Sequence, residues 1–390
     1  MLSRLRRRVR PHGSPGVRQN EPRPFCLDAL FALRVCRFAP SARRCWNSNV
    51  METTLLNPSA QLYCTRHPAM GTEYSLFLYA ASREEAAEIA KPVFEEIDRV
   101  DALLSNYRLD SELSRINREA FDQAVTTDPE TFRFLATCLA WSERSHGAFD
   151  ISVGKLMKVW KFFGDSGALP SPEELAAARA DVGWEKIRLD PEQRTVRFLA
   201  AGIELDPGGI GKGYAVDRAV RVLRAKRVSA ALLSAGSSTI YALGAPAGEA
   251  GWKVRVPSPG REASTISTVI LRDTSLSTAN LSEKNFVHED QFYGAIMNPR
   301  TLQPVQGMLQ VTVISQSATD SDALSNALFV SGPEERASLL GEQDFALVIR
   351  ESQSYVEPRG GQKYESIRWP AEVVQPQPAA LSIAKEKEKL

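Results

Sequence analysis

The stretch richest in chemistry runs from Leu205 to Asp217, LDPGGIGKGYAVD. Glycines at 208, 209, 211 and 213 fall within six residues, so no Cβ keeps a ligand from the backbone there. The helix predicted to follow turns free N–H groups toward such a ligand, which favours a phosphate. Lys212 adds a positive charge. Asp206, at the end of a short apolar strand, suits facing a metal or accepting from a base edge. Two familiar phosphate motifs do not fit. A P-loop reads GxxxxGK followed by Ser or Thr, whereas Asp206 takes the place of its first glycine and Gly213 follows the lysine. A dinucleotide fingerprint reads GxGxxG, whereas this chain has Gly209-x-Gly211-x-Gly213. The residues alone leave two readings, a phosphate-handling turn and a tight strand-to-helix turn without a ligand.

A second cluster is Asp320-Ser321-Asp322-Ala323-Leu324-Ser325-Asn326, placed at the start of a short helix predicted over 322–332. Asp322, Ser325 and Asn326 lie at i, i+3 and i+4, on one helix face. Three oxygen-bearing side chains on one face suit a hard cation such as Mg²⁺. The competing reading is an N-cap, with Asp320 or Asp322 accepting from free N–H groups. Three shorter pieces are Ala69-Met70-Gly71-Thr72, Leu104-Ser105-Asn106-Tyr107 with Ser111-Glu112-Leu113 and Asn117, and Gly147-Ala148-Phe149-Asp150-Ile151-Ser152-Val153-Gly154. Each by itself reads equally well as an ordinary turn or cap.

The elements that must hold these residues mix strands and helices. EYSLFLYA (73–80) alternates as a strand does. Arg83–Leu104 has Ala86, Ala90, Val93, Ile97, Val100 and Leu104 at helical spacing, with Pro92 inside as a point for a kink or break. TFRFLATCLAWSERS (131–145) and GYAVDRAVRVLRA (213–225) read as helices, the latter with Val216, Ala219, Val220 and Leu223 inward. IRLDPEQRTVRFL (187–199) reads as two short strands about a turn. SAALLSA, STIYALG, GWKVRVP and STVILRD supply more strands. Strands outnumber crossover helices, so the expected class is α+β with mixed, mostly antiparallel sheets and packed helices.

The chain has 390 residues, 48 basic and 47 acidic, for a formal net charge of +1. That balance gives no electrostatic argument for nucleic acid or an anionic membrane surface. No run approaches the roughly 18 apolar residues needed to span a bilayer. The five cysteines (Cys26, Cys36, Cys45, Cys64, Cys138) form no CxxC pair, which argues against a zinc site or a disulfide framework. Cys138 reads as a small buried hydrophobe. Residues 1–60 are expected to be a disordered or targeting extension. Within 1–50, eleven arginines face only Glu21 and Asp28. Asp28 and Arg34 interrupt the apolar run 26–36, and no small-residue pattern precedes a cysteine as a lipoprotein signal requires. The plainer readings are an unstructured extension, or a true start at Met51. Residues 369–390, Pro/Ala/Gln-rich and ending AKEKEKL, read as a disordered tail.

Taken in order, the pieces resemble the ApbE family of FAD:protein FMN transferases. The matching segments are MGT (70–72), LSNY (104–107), SELSRIN (111–117), GAFDISVGKLMKVW (147–160), LDPGGIGKGYAVD (205–217), WKVRVP (252–257), IMNPRT (296–301) and SDALSNALFVSG (321–332). The resemblance covers roughly residues 65–350 and implies an ApbE-like, T-fold-like architecture, with residues 61–368 as the flavin transferase domain. It implies a Mg²⁺-dependent reaction in which a Ser or Thr hydroxyl of an acceptor flavoprotein takes FMN from FAD and AMP leaves. By motif, Met70, Tyr107, Ala148, Phe149, Asp150, Asp206 and Lys212 would hold FAD, as would position 295. Gly209 (by its carbonyl), Asp322, Ser325 and Asn326 would hold the metal.

The chain departs from the family pattern where the family has H-I-I-D-P-R-T-G. Its histidine is Ala295 here, its aspartate Asn298 and its glycine Leu302. A histidine there is a fitting base for the attacking hydroxyl. His288, seven residues earlier, is the one candidate to replace it, against the plainer reading of a surface-loop histidine. Two other functions stand beside transfer: hydrolysis of FAD to FMN and AMP, and FAD binding without catalysis. The resemblance implies a membrane redox subunit as acceptor and a periplasmic or membrane-associated place of work. The sequence itself leaves location and oligomeric state open.

Overall fold

The computed structural model describes residues 60–163, 167–259, 261–281, 284–289, 291–351 and 362–370. The expected extension up to residue 59, with Cys26, Cys36 and Cys45, lies outside the described residues, as does the tail beyond 370. In chain order, β1 (Gln61–Ala69) and β2 (Thr72–Ala80) form a hairpin. Then come α1 (Arg83–Leu104), α2 (Glu112–Glu119), β3 (Val125–Thr126) and α3 (Pro129–Arg144). α4 (Gly154–Val159) and α5 (Pro172–Asp181) precede β4 (Ile187–Asp190) and β5 (Thr195–Phe198). α6 (Gly211–Ala225) leads into β6 (Ala230–Ala235), β7 (Thr239–Gly244), a ribbon of β8 (Trp252–Ser258) and β9 (Arg261–Leu271), and β10 (Thr274–Asn280). A hairpin of β11 (Asn285–His288) and β12 (Gln291–Gly294) follows, then the short pair β13 (Met297–Asn298) and β14 (Gln303–Pro304). β15 (Met308–Ser315), α7 (Ala318–Val330), α8 (Pro333–Leu339), β16 (Phe345–Glu351) and β17 (Gln362–Ile367) complete it.

The main sheet has eight strands in the order β1-β2-β6-β7-β10-β15-β16-β17, each pair antiparallel. This is the mixed, mostly antiparallel α+β class expected. Helices cover one face and the β8–β9 ribbon covers the other. Period-2 geometry sorts the side chains between these faces. In β6, Ala231, Leu233 and Ala235 join the helix-side core while Ala230 and Leu232 join the ribbon-side core. In β16, Ala346 and Val348 face the helices, and Leu347 and Ile349 face the ribbon. Central strands buried on both faces therefore read as apolar runs, whereas β2 alternates because Tyr74, Leu76 and Leu78 are its fully buried set. A third cluster joins Leu156 and Trp160 to Ala178, Met297 and Leu302, with Phe286 and Tyr293 of the β11–β12 hairpin packed against it.

Two expectations are refined and one, the start of α7, is corrected. α1 runs unbroken through Pro92, its N-terminus capped by Ser82. α7 begins at Ala318 rather than at Asp322, and its N-cap is Ser317, not Asp320 or Asp322. The reason is an acceptor from elsewhere: Asp217, on α6, takes the N–H groups of Ala318 and Thr319 and the hydroxyls of Ser317 and Thr319. Trp369, the first residue of the expected tail, packs against the ribbon-side core and donates its indole N–H to Ser267 Oγ at 2.9 Å.

Candidate functional site

The Leu205–Asp217 segment is built by its neighbours. Asn117 of α2 pairs with the Leu205 backbone as another peptide would. Its Oδ1 accepts the Leu205 N–H at 2.8 Å and its Nδ2 donates to the Leu205 carbonyl at 3.1 Å. On the other side, residues 151–154 run beside 204–206, with Gly154 N–H donating to the Glu204 carbonyl and Asp206 N–H to the Ile151 carbonyl. A Cβ at Gly154 would stand 2.6 Å from the Glu204 carbonyl oxygen, so the approach needs glycine. Three sequence motifs thus assemble one turn.

Asp206 opens that turn and accepts the Gly208 N–H at 2.8 Å. Burial pushes its carboxyl up from the usual carboxylate range, against the Gly208 hydrogen bond and the positive charge of Lys284. The Asn106 amide faces Asp206, yet its buried Nδ2 has no partner of regular hydrogen-bond geometry. Gly209 lies against the Phe149 ring and the Asn326 amide, and a Cβ there would touch both at 3.3–3.4 Å. Met70, at the β1–β2 turn, accepts from the Tyr74 hydroxyl and brings its methyl to 3.4 Å from the Cβ position of Gly211. Ala148 and Phe149 are buried beside this turn's supporting segment. Lys212 is half-buried and makes no hydrogen bond or ion pair among the described residues.

α7 meets the N-terminus of α6 here. Asp322 Oδ2 accepts the Gly213 N–H at 2.9 Å, in the first turn of α6. Asp217 caps α7 in return, so the two helices cap each other. Asn326 Nδ2 donates to two carbonyls, of Gly209 at 3.2 Å and of Asp322 at 3.0 Å. A donor between two carbonyls and beside a carboxylate marks negative potential; turning the amide by half a rotation presents Oδ1 instead. Hard oxygen donors in that set fit Mg²⁺. Ser325 is buried and spends its hydroxyl hydrogen on the Asp322 carbonyl at 2.8 Å. Asp150 is also buried, with one oxygen on the Ser152 N–H and the other on the Trp184 N–H.

Two further residues assigned from the sequence are exposed. Tyr107 is 57% exposed and stacks on Phe163 with ring centres 4.4 Å apart. His288 sits exposed at the tip of β11–β12, opposite Gln291, while the Ala295 N–H closes the hairpin's base on the Lys284 carbonyl. Four residues of strand, about 14 Å, separate Gln291 from Ala295. The hairpin therefore holds His288 away from the position of Ala295. Asp217, Asn106 and Lys284 were not among the residues assigned from the sequence. Asp217 ends the glycine motif and Asn106 lies inside LSNY, so both had a signal; Lys284 had none.

The ApbE family's sequence profile matches residues 70–349. The chain is 30% identical over 279 residues to the FAD:protein FMN transferase of Treponema pallidum (strain Nichols), covering 67% of this chain and 77% of that one. It is 25% identical over 342 residues to the FAD:protein FMN transferase of Salmonella typhimurium, covering 85% and 93%. The crystal structure of the Thermotoga maritima ApbE protein superposes with a TM-score of 0.68 at 28% identity, covering 74% of this chain and 94% of that one. The apo flavinyl transferase ApbE of Pseudomonas stutzeri superposes equally well at 26% identity, covering 79% and 95%.

Proposed function

The chain belongs to the ApbE family, and on that premise we propose that it is an FAD:protein FMN transferase. A Ser or Thr hydroxyl of an acceptor flavoprotein, a membrane redox subunit by family resemblance, attacks the FMN phosphorus of FAD. The new P–O bond forms as the P–O bond to AMP breaks, and the hydroxyl proton is released. The observation that carries this reading is the meeting of α6 and α7, which sets the Gly209 carbonyl and the Asp322 carboxylate beside Lys212 and the glycine turn. Mg²⁺ held by Gly209, Asp322, Ser325 and Asn326 would neutralise pyrophosphate charge as the phosphorus is attacked. Lys212 supplies positive charge to the same diphosphate. Met70, Phe149 and Asp206 line the turn, and the orphaned Asn106 amide offers a donor to an acceptor atom of the nucleotide. Ala148 and Asp150 shape the segment behind it, and Tyr107 forms an outer wall.

Purified full-length protein incubated with FAD, Mg²⁺ and an acceptor bearing a flavinylation site should leave a fluorescent acceptor band on a denaturing gel. Asp322→Ala should remove that band at any Mg²⁺ level that supports wild type. No labelled acceptor beside an active control enzyme would overturn the reading. AMP released without acceptor would select hydrolysis, and tight FAD binding with neither product would select a binding protein.

A further inference from the structure

Lys284 lies outside every motif read from the sequence, yet it borders the site. Its carbonyl closes the base of the β11–β12 hairpin. Its ammonium donates to the Phe162 carbonyl at 3.3 Å and to the Tyr107 hydroxyl at 3.4 Å, and stands 5.7 Å from the Tyr107 ring centre. One side chain thereby ties the hairpin to the loop after α1 and to the chain just past α4.

This charge is held differently from those of three other lysines. Lys155 pairs with Asp181 at 3.5 Å and Lys253 with Glu249 at 3.9 Å. Lys186 closes α5 by donating to the carbonyls of Arg179, Ala180 and Val182. Lys284 has no carboxylate within ion-pair distance among the described residues. Its acceptors are neutral and distant, and a third N–H is left over. The buried Asp206 feels its charge, and the Asn106 amide, next to Tyr107, faces the same carboxyl. An exposed ammonium tied to Tyr107 thus adds positive charge on the side of Asp206, as Lys212 does within the glycine motif, and such charge suits an anion.

We propose that Lys284 is a substrate-binding residue whose ammonium contacts the diphosphate of a dinucleotide, while holding Tyr107 as the adjoining wall. This rests on the FAD reading above. The test titrates FAD, with Mg²⁺, into full-length wild type, Lys284→Met and Lys284→Arg by calorimetry, and measures kcat and KM for transfer. Lys284→Met should weaken FAD binding and raise KM about tenfold, the worth of one charge-assisted hydrogen bond. Its kcat should change far less, and Lys284→Arg should bind within about threefold of wild type, because charge is the working feature. Thermal midpoints should match, since the side chain is exposed. Equal binding by Lys284→Met, equal damage in Lys284→Arg, or a lost midpoint in both variants would overturn the proposal. A wild type that binds FAD without transferring FMN would sink the transferase reading and leave Lys284 standing. A wild type that binds no FAD would sink both.

Discussion

The carboxylates near the turn differ in what their oxygens already accept. Asp217 is committed to the first turn of α7, and Asp150 to two backbone N–H groups; Asp206 accepts the Gly208 N–H of the glycine turn, and Asp322 has the Gly213 N–H of α6 among its partners. Burial, opposed by its hydrogen bonds to Ser152 and Trp184, pushes the Asp150 carboxyl up to about 6 from an ordinary 3.8. Between those two values the folded chain keeps a proton that the unfolded chain has released. Stability from this group is thus full below pH 3.8 and is lost as pH rises through 6. The interval corresponds to about 3 kcal/mol at roughly 1.36 kcal/mol per pH unit. Urea unfolding of wild type and Asp150→Asn should show their stability difference shifting by that amount against wild type between pH 3 and 7. A difference that stays flat would show that Asp150 carries no such proton.

The working element is the pair α6 and α7, whose N-terminal turns each borrow an acceptor from the other. Gly213 is where they touch: a Cβ there would lie 2.1 Å from the Ala318 carbonyl oxygen and 2.7 Å from the Asp322 Cβ. Backbone cannot yield as a side-chain tip can, so Gly213→Ala should cost about 3 kcal/mol or more and lower the thermal midpoint. Gly209→Ala, which meets only the Asn326 amide and the Phe149 ring at 3.3–3.4 Å, should cost under half as much. Equal midpoints for the two variants would refute the close crossing. The same pair explains what the sequence hid. The glycine turn, the i, i+3, i+4 oxygen face and α6 were legible because each is local. The start of α7 was not, because the acceptor for its free N–H groups is Asp217, a hundred residues earlier. β15 carries no period-2 signal because Val311 and Val313 face the helices while Ile314 faces the ribbon. The β11–β12 hairpin owes its place to Phe286 and Tyr293 packing on Trp160, a contact that no spacing announces.

Across the whole molecule, the catalytic body depends on a strand that lies late in the chain. β17 pairs with β16 and brings Glu365 to Arg336, whose side chain is only 3% exposed. Arg336 otherwise donates Nε–H to the Leu328 carbonyl near the end of α7 and reaches the Met308 thioether. Without Glu365 that guanidinium stays buried with no carboxylate within ion-pair distance among the described residues, a loss of about 3 kcal/mol, the low end for a broken buried pair because Glu365 is partly exposed. The edge of β16 would also be bared. The strain would fall on α7, the helix that carries Asp322 and Asn326. A transferase domain spanning 61–368 is therefore proposed with its end moved past Trp369, whose indole is anchored on Ser267. A chain of residues 60–370 should match the full-length protein in urea midpoint and in FAD affinity. A chain of residues 60–360 should lose at least about 3 kcal/mol, or fail to stay soluble. Full stability in the shorter chain would show that β17 and its ion pair are dispensable; a loss already in the longer one would place part of the fold's support outside residues 60–370.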